Sequence, residues 1–373
     1  MADTEPHGWT RPELGELSPD SRHYWDGDIW GWQPLWLGPD EVVDVTRQCF
    51  EQTRTATTAR FLAAGLLNQS WRIETRYGAY VLRVSRAERS VEQIAYEHAF
   101  ARELHTHIGA VVAPLSGRDG VTIQRWRGRA LSLYPFVAGQ AGTSIAADDR
   151  GQQTATMLAR IHRASLAHIH LGQRPGFRAV DEHPRWIWAS IEPALTRALG
   201  CTDGYRRVVQ AIEREMAELD VWLDTLHAAK RPLPRATVHG DFNPRNLIFS
   251  DTDLIAVVDW DECRIEPIAW EVAQVGFGAA DIDPPTFWAT YLDAGGPLAP
   301  EDVDLLAGFA RMGALSELQW TTNDGAAAPH AIQQLRDVVS GLAWLRTRST
   351  HKGSEGGRND ENSFAPLSAS DPP

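Results

Sequence analysis

The sequence has little of what marks several large classes of protein. Its 373 residues hold three cysteines, Cys49, Cys201 and Cys263. Their odd number and wide spacing argue against a disulfide framework or a zinc site and leave reduced thiols as the expectation. No run of about eighteen apolar residues occurs, so no membrane-spanning helix is expected. The stretch from Met1 to His7 lacks the basic and apolar regions of a secretory signal, which points to a cytoplasmic protein. Basic excess is missing too. A formal charge of −13 speaks against nucleic acid as a partner and is compatible with a cationic substrate. The 13 histidines show no pair at metal-helix spacing, and neither His105-Thr106-His107 nor His168-Ile169-His170 is read as a ligand set. There is no internal repeat.

What is present suits a globular protein with more than one core: 43% of residues are hydrophobic and 23% charged, in a chain longer than one core usually organises. One stretch carries chemistry, His239-Gly240-Asp241-Phe242-Asn243-Pro244-Arg245-Asn246. An Asp followed five positions later by an Asn lets one loop supply a carboxylate to receive a hydroxyl proton and an amide oxygen to hold a magnesium ion. Pro244 stiffens that loop. Downstream, Asn246 to Ser250 reads as a strand, Ser250 to Asp253 as its turn, and Leu254 to Val258 as a buried strand ending in Asp259-Trp260-Asp261-Glu262. Such a hairpin would return Asp259 to the side of Asn246, giving a metal pair with Asp241 as the base close by.

These residues resemble the aminoglycoside phosphotransferase and choline kinase superfamily, relatives of the protein kinases, whose catalytic loop reads His-Gly-Asp, four residues, Asn. The resemblance covers roughly residues 55 to 345. It implies an α+β, bilobal protein-kinase-like fold, with a small N-lobe of antiparallel sheet plus helix and a larger, mostly helical C-lobe. Asp241 is then the catalytic Asp, Asn246 and Asp259 are the magnesium ligands, and ATP or GTP is the co-substrate. His239, Asn243 and Glu271 take supporting roles, Glu271 by tying its helix back to the loop. The acceptor is implied to be a small-molecule hydroxyl, on an aminoglycoside or other natural-product antibiotic first, with homoserine, choline or a sugar as alternatives.

The expected organisation is a Trp-rich extension and helix over 1–54, the nucleotide-binding N-lobe over 55–134, a linker at 135–139, the C-lobe with catalytic loop and acceptor pocket over 140–348, and a disordered tail over 349–373. In the N-lobe, Trp71 to Thr75 and Tyr80 to Val84 read as strands, and Val111 to Leu115, Val121 to Ile123 and Leu131 to Tyr134 are expected to complete the sheet. Gly65 to Ser70 falls where the family covers the nucleotide phosphates, with Asn68 and Ser70 as side-chain contacts. Arg83 stands where the family's third strand carries a lysine, and Glu97, on a helix expected over Ser90 to Leu104, matches the acid that pairs with that cation. Main-chain groups near Tyr134 and Phe136 would hold adenine. His162 is read as structural. The acids Glu213, Glu215, Glu218, Asp220 and Asp224 on a helix from about Tyr205 to Lys230, with Glu317 and Asp324, either face the acceptor or form solvated faces. Two rival readings are a non-catalytic nucleotide-binding scaffold, suggested by Arg83 and the thin glycine loop, and a protein kinase, disfavoured by Gly240 and Asn243 where such enzymes usually carry Arg and Lys.

Overall fold

The computed structural model describes residues 12–27, 31–62, 68–181, 203–279 and 283–323. The chain is α+β. After a short hairpin of β1 (His23–Trp25) and β2 (Trp32–Pro34), helix α1 (Pro39–Cys49) starts behind Gly38 with Pro39 at its first position and Asp40 and Glu41 in its first turn, where proline costs no hydrogen bond and acids favour the helix dipole. Strands β3 (Ala56–Leu62), β4 (Asn68–Thr75), β5 (Gly78–Ser85), β6 (Gln124–Trp126) and β7 (Arg129–Pro135) form an antiparallel sheet of order β3-β4-β5-β7-β6.

Alternation along these strands gives the sheet two unlike faces. Trp71, Ile73, Leu82, Val84, Leu131 and Leu133 are fully buried and pack with Val42 and Val45 of α1 into the N-lobe core. The other face carries Ser70, Arg83 and Ser132 side by side in register. Because Arg83 lies between Leu82 and Val84, the apolar anchoring of its neighbours aims it away from that core.

Helix α2 (Val91–His107) opens on a capping box between Ser90 and Gln93. Its Tyr96, Phe100 and Leu104 belong to the larger C-lobe core rather than the N-lobe core, so the helix ties the two lobes. The segment after it also leans on the C-lobe: the Val112 N–H donates to Val257 O at 3.0 Å, and the Val257 N–H donates to Ala110 O at 2.8 Å. Two expected strands are therefore corrected. Val111 and Leu115 make only one-residue bridges, to Val257 and Leu133, and the edge strand is β6 instead of Val121 to Ile123. Pro114 has no N–H to give a ladder, and a turn closed by the Gly120 N–H on Gly117 O delays the next strand.

The C-lobe follows as β8 (Gln140–Ala141), α3 (Ala147–His168), α4 (Asp203–Ala228), β9 (Arg235–Val238), β10 (Leu247–Ser250), β11 (Asp253–Val257), β12 (Arg264–Pro267), α5 (Ile268–Gln274), α6 (Pro284–Asp293) and α7 (Val303–Asn323). Strand β10 pairs with β11 on one side and β8 on the other, while β12 pairs with β9. These two ladders lay the loop after β9 against the segment between β11 and β12.

Of the N-terminal tryptophans, Trp36 packs beside the N-lobe core, under the Arg129 guanidinium at 4.1 Å, while Trp25 meets Trp32 edge to face at 5.6 Å. Glu215 and Glu218 bond Arg311, which fastens α4 to α7. Trp9, Trp30, Cys201, Asp324, the glycine loop at 63–67 and the tail at 349–373 lie outside the described residues, as does the side chain of Glu317. Among the described residues no helix is long and apolar enough to cross a membrane.

Candidate active site

Strand β9 ends at Val238, and Gly240 then takes a φ of +85°. A Cβ there would lie 2.2 Å from the main-chain oxygen of Glu262, so only glycine lets the loop press this closely on the segment that follows β11. Asp241 emerges exposed. Its Oδ1 accepts from Asn243 Nδ2 at 2.7 Å and its Oδ2 from Asn246 Nδ2 at 2.9 Å, which fixes the carboxylate in direction. Asn243 also accepts from the Arg245 N–H at 2.9 Å and so caps the short turn of Pro244 to Asn246.

Behind the loop is a buried acid. Glu271, at the start of α5 and 1% exposed, accepts from the main-chain N–H of His239 at 3.2 Å and of Gly240 at 2.5 Å, and bonds His162 Nε2 at 2.8 Å. Burial pushes its carboxyl up, but the hydrogen bond and charge of His162, with His239 and the Gly240 N–H, outweigh it and hold the group below the usual range. His162 in turn bonds the Tyr291 hydroxyl at 2.9 Å. His239 is fully buried and bonds Val258 O through Nε2 at 3.0 Å, while its Nδ1 accepts the Asp241 N–H at 3.3 Å. Burial lowers its pKa, in keeping with a neutral ring that donates at one nitrogen and accepts at the other.

The Val258 N–H donates to Asn246 O at 2.9 Å, bringing the end of the hairpin back to the loop. The next residue, Asp259, has a φ of +63°, a left-handed conformation that costs a non-glycine residue about 1–2 kcal/mol. Its side chain is crowded by protein but open on one side, 41% exposed. Burial, then the adjacent Asp261 carboxylate, push its carboxyl up to about 7 against the pull of Arg83. A divalent cation would reverse that balance. Asn246 spends its Nδ2 on Asp241, on both Oδ2 and the main-chain oxygen at 2.9 Å, so its Oδ1 is left for an ion. Among the described residues no group of three or more His, Cys, Asp or Glu is placed to hold a metal. One carboxylate and one amide oxygen are a donor set that suits magnesium, which keeps waters and nucleotide phosphates as its other ligands.

Arg83, 7% exposed, reaches from the sheet into this region. Its Nη1 lies 2.7 Å from Asp261 Oδ1 and 3.1 Å from Asp259 Oδ1. Its Nη2 bonds Glu97 Oε1 and, at 2.5 Å, the Tyr134 hydroxyl. Arg89 runs parallel, with Nη2 2.9 Å from Glu97 Oε2 and Nη1 2.9 Å from Asp261 Oδ1. His98 sits beside them at 3.2 Å from the Tyr134 hydroxyl. Burial first, then the two guanidinium groups, bring its pKa down to about 3, so it is neutral.

The expected nucleotide contacts are thus brought together unevenly. Arg83 and Glu97 meet. Asn68 donates to Asp261 rather than standing free, Ser70 neighbours Arg83 across the ladder, and Tyr134 turns its hydroxyl to the ion pairs. The Phe136 N–H is already engaged by Ala79 O at 3.1 Å, and its ring lies under the Arg72 guanidinium at 4.1 Å. Asp261, Arg89 and Arg174 were not foreseen. Arg174, 2% exposed, holds the main-chain oxygens of Asp261 and Cys263 and so braces the segment after Asp259. Cys263 is buried, which lifts its thiol to about 12 and makes it a packing residue.

Residues 58–313 match the model of the phosphotransferase enzyme family. The chain is 22% identical over 234 residues to a homoserine kinase from Zymomonas mobilis, a match spanning 63% of this chain and 68% of that kinase. In fold it is similar to a spectinomycin phosphotransferase solved with ADP and spectinomycin, at a TM-score of 0.60 and 14% identity over 84% of this chain and 99% of that one. It is equally similar to a microcompartment-associated aminopropanol kinase, at a TM-score of 0.60 and 18% identity over 83% and 98%. The two-lobed kinase-like architecture is shared with both.

Proposed function

The chain belongs to the phosphotransferase enzyme family, and from that premise we propose that it moves the γ-phosphate of ATP or GTP to a hydroxyl of a small molecule, an aminoglycoside or other natural-product antibiotic in the first instance. The observation that carries this reading is Asp241, an exposed carboxylate aimed by Asn243 and Asn246 and set next to the Asn246 and Asp259 pair. Asp241 orients the acceptor hydroxyl and receives its proton. Asn246 and Asp259 would hold magnesium, which when bound neutralises charge on the phosphates. Arg83, paired with Glu97 in this structure, meets the nucleotide phosphates. Glu271 and His239 keep the loop in shape, so that catalysis is mostly positioning and electrostatics.

The homoserine kinase relative supports a second reading, a small amino alcohol as acceptor. Aminoglycosides and amino alcohols both carry an ammonium group at neutral pH, which the charge of −13 would favour. A nucleotide-consumption assay over aminoglycosides, homoserine, aminopropanol, choline and neutral sugars tests them. Turnover is expected with an amine-bearing compound, at a KM that rises with salt as screening weakens its attraction. Neutral sugars turning over equally fast, without salt dependence, would refute a cationic acceptor, and a chain that binds no nucleotide would refute the kinase reading.

Asp259 makes metal binding depend on pH. An acid whose pKa is raised to about 7 stays protonated below that pH, and proton and ion compete for the same oxygens. The affinity for magnesium–nucleotide is expected to fall as pH drops below about 7, by up to about tenfold per pH unit, and to level off above it. Calorimetric titrations from pH 8 to 5.5 check this, with Asp259→Asn at raised magnesium losing that part of the slope. The same slope in both proteins would remove Asp259 from the metal site.

A further inference from the structure

The ion pairs between the lobes contain one cation more than a single strand–helix pair requires. We infer that Arg89 is a positioning residue, the fixed cation of this cluster, whose presence lets Arg83 leave the carboxylates and meet the nucleotide phosphates. The inference rests on the reading of this cleft as the nucleotide site.

Arg83 and Arg89 share the same two acids in different ways. Arg89 is bound only inward, its guanidinium spanning Glu97 Oε2 and Asp261 Oδ1 at 2.9 Å each, with its side chain 4% exposed. It stands one residue before the Ser90 cap of α2, so its backbone is fixed with the helix. Arg83 is divided. Its Nη1 touches Asp261 Oδ1 at 2.7 Å and the open Asp259 Oδ1 at 3.1 Å, and the second of these lies on the proposed metal ligand. A divalent ion held on Asp259 would repel that end of Arg83, and phosphate oxygens would attract it.

The movement has an electrostatic obstacle. Asp261 is 6% exposed, and a buried carboxylate left without a cation is strongly unfavourable. Once Arg83 turns outward, Arg89 and Asn68 keep Asp261 paired on both oxygens. Arg89 likewise keeps Oε2 of Glu97 occupied. Without Arg89, Arg83 would be the one guanidinium among the described residues still bonded to the Asp261 carboxylate, Arg174 reaching only its main-chain oxygen, and would be held back from the phosphates.

The test is a double-mutant cycle read by calorimetric titration of magnesium–ATP, with circular dichroism and thermal melting on each protein. Arg89→Gln is expected to weaken nucleotide binding by about tenfold or more, and Arg89→Lys by about threefold or less, because a buried charge is lost in the first and kept in the second. In an Asp261→Asn background, Arg89→Gln should cost less than about threefold, since the buried Asp261 charge that would otherwise hold Arg83 back is gone. A residue that merely stabilises the fold would lower the melting temperature and cost the same affinity in both backgrounds, and that result overturns the assignment. So does an Arg89→Gln protein that binds as the parent does. Should Arg89→Gln alone not fold, the comparisons of Arg89→Lys with the parent and of the double variant with Asp261→Asn decide, and a tenfold loss in both overturns it. A parent that binds no magnesium–ATP fails the kinase reading before any variant is made, and this assignment with it.

Discussion

Asp241→Asn is expected to bind nucleotide and magnesium as the parent does, while turnover falls by about a hundredfold or more. The amide matches the carboxylate in size but cannot accept the acceptor's proton. Binding should survive because none of the hydrogen bonds of the Asp241 side chain goes to Arg83, Glu97 or Asp261; both are with asparagines of its own loop. Asp259→Asn should behave in the opposite sense and raise the magnesium requirement, because a charged oxygen ligand is lost. Calorimetry with magnesium–nucleotide beside a turnover assay on both variants separates the two acids. Phosphate transfer at the parent rate by the Asp241 variant would mean that this loop does not supply the base.

Glu271→Leu is expected to lower the stability of the protein by about 3–5 kcal/mol, the usual loss when one partner of a buried charged network is removed. Three donors lose their acceptor at once, the N–H groups of His239 and Gly240 and the His162 ring, and the site that holds them is buried. Glu271→Gln should cost less, because its oxygen can still serve one or two of them. Its pKa sign adds a check. A carboxyl held below its unfolded value stabilises the fold above that unfolded value, and this contribution is lost as pH falls through the folded one. Urea unfolding at neutral pH and at about pH 4 measures both, and equal stability of Glu271→Leu and parent would show that the loop does not depend on this acid.

The parts of the site that lie close in sequence were legible from it. The spacing from Asp241 to Asn246 and the apolar run before Asp259 describe a loop and a hairpin, and local rules suffice for both. Arg83 was legible through the resemblance, because it stands where the family's third strand carries a lysine, and the alternation of Leu82 and Val84 into the core accounts for its pointing the other way. Arg89 and Asp261 were not, since their contact joins residues far apart in the chain and no local pattern encodes it. The Phe136 amide shows another limit: a linker residue can be placed by sequence, but whether its hydrogen is already taken by Ala79 depends on how far β7 continues along β5. Pro114 is a break visible in its apolar run, and without an N–H it ends any ladder there.

The guanidinium on β5 also changes how this protein can be detected. Arginine keeps its charge at any pH at which the chain is folded and is a poor nucleophile toward acylating reagents, unlike a lysine whose pKa falls on burial. Lysine occurs here only as Lys230 and Lys352. Nucleotide-shaped probes that tag kinases by acylating the strand lysine meet no amine on β5, so a labelling survey built on them would pass over this protein even while its cleft held the probe.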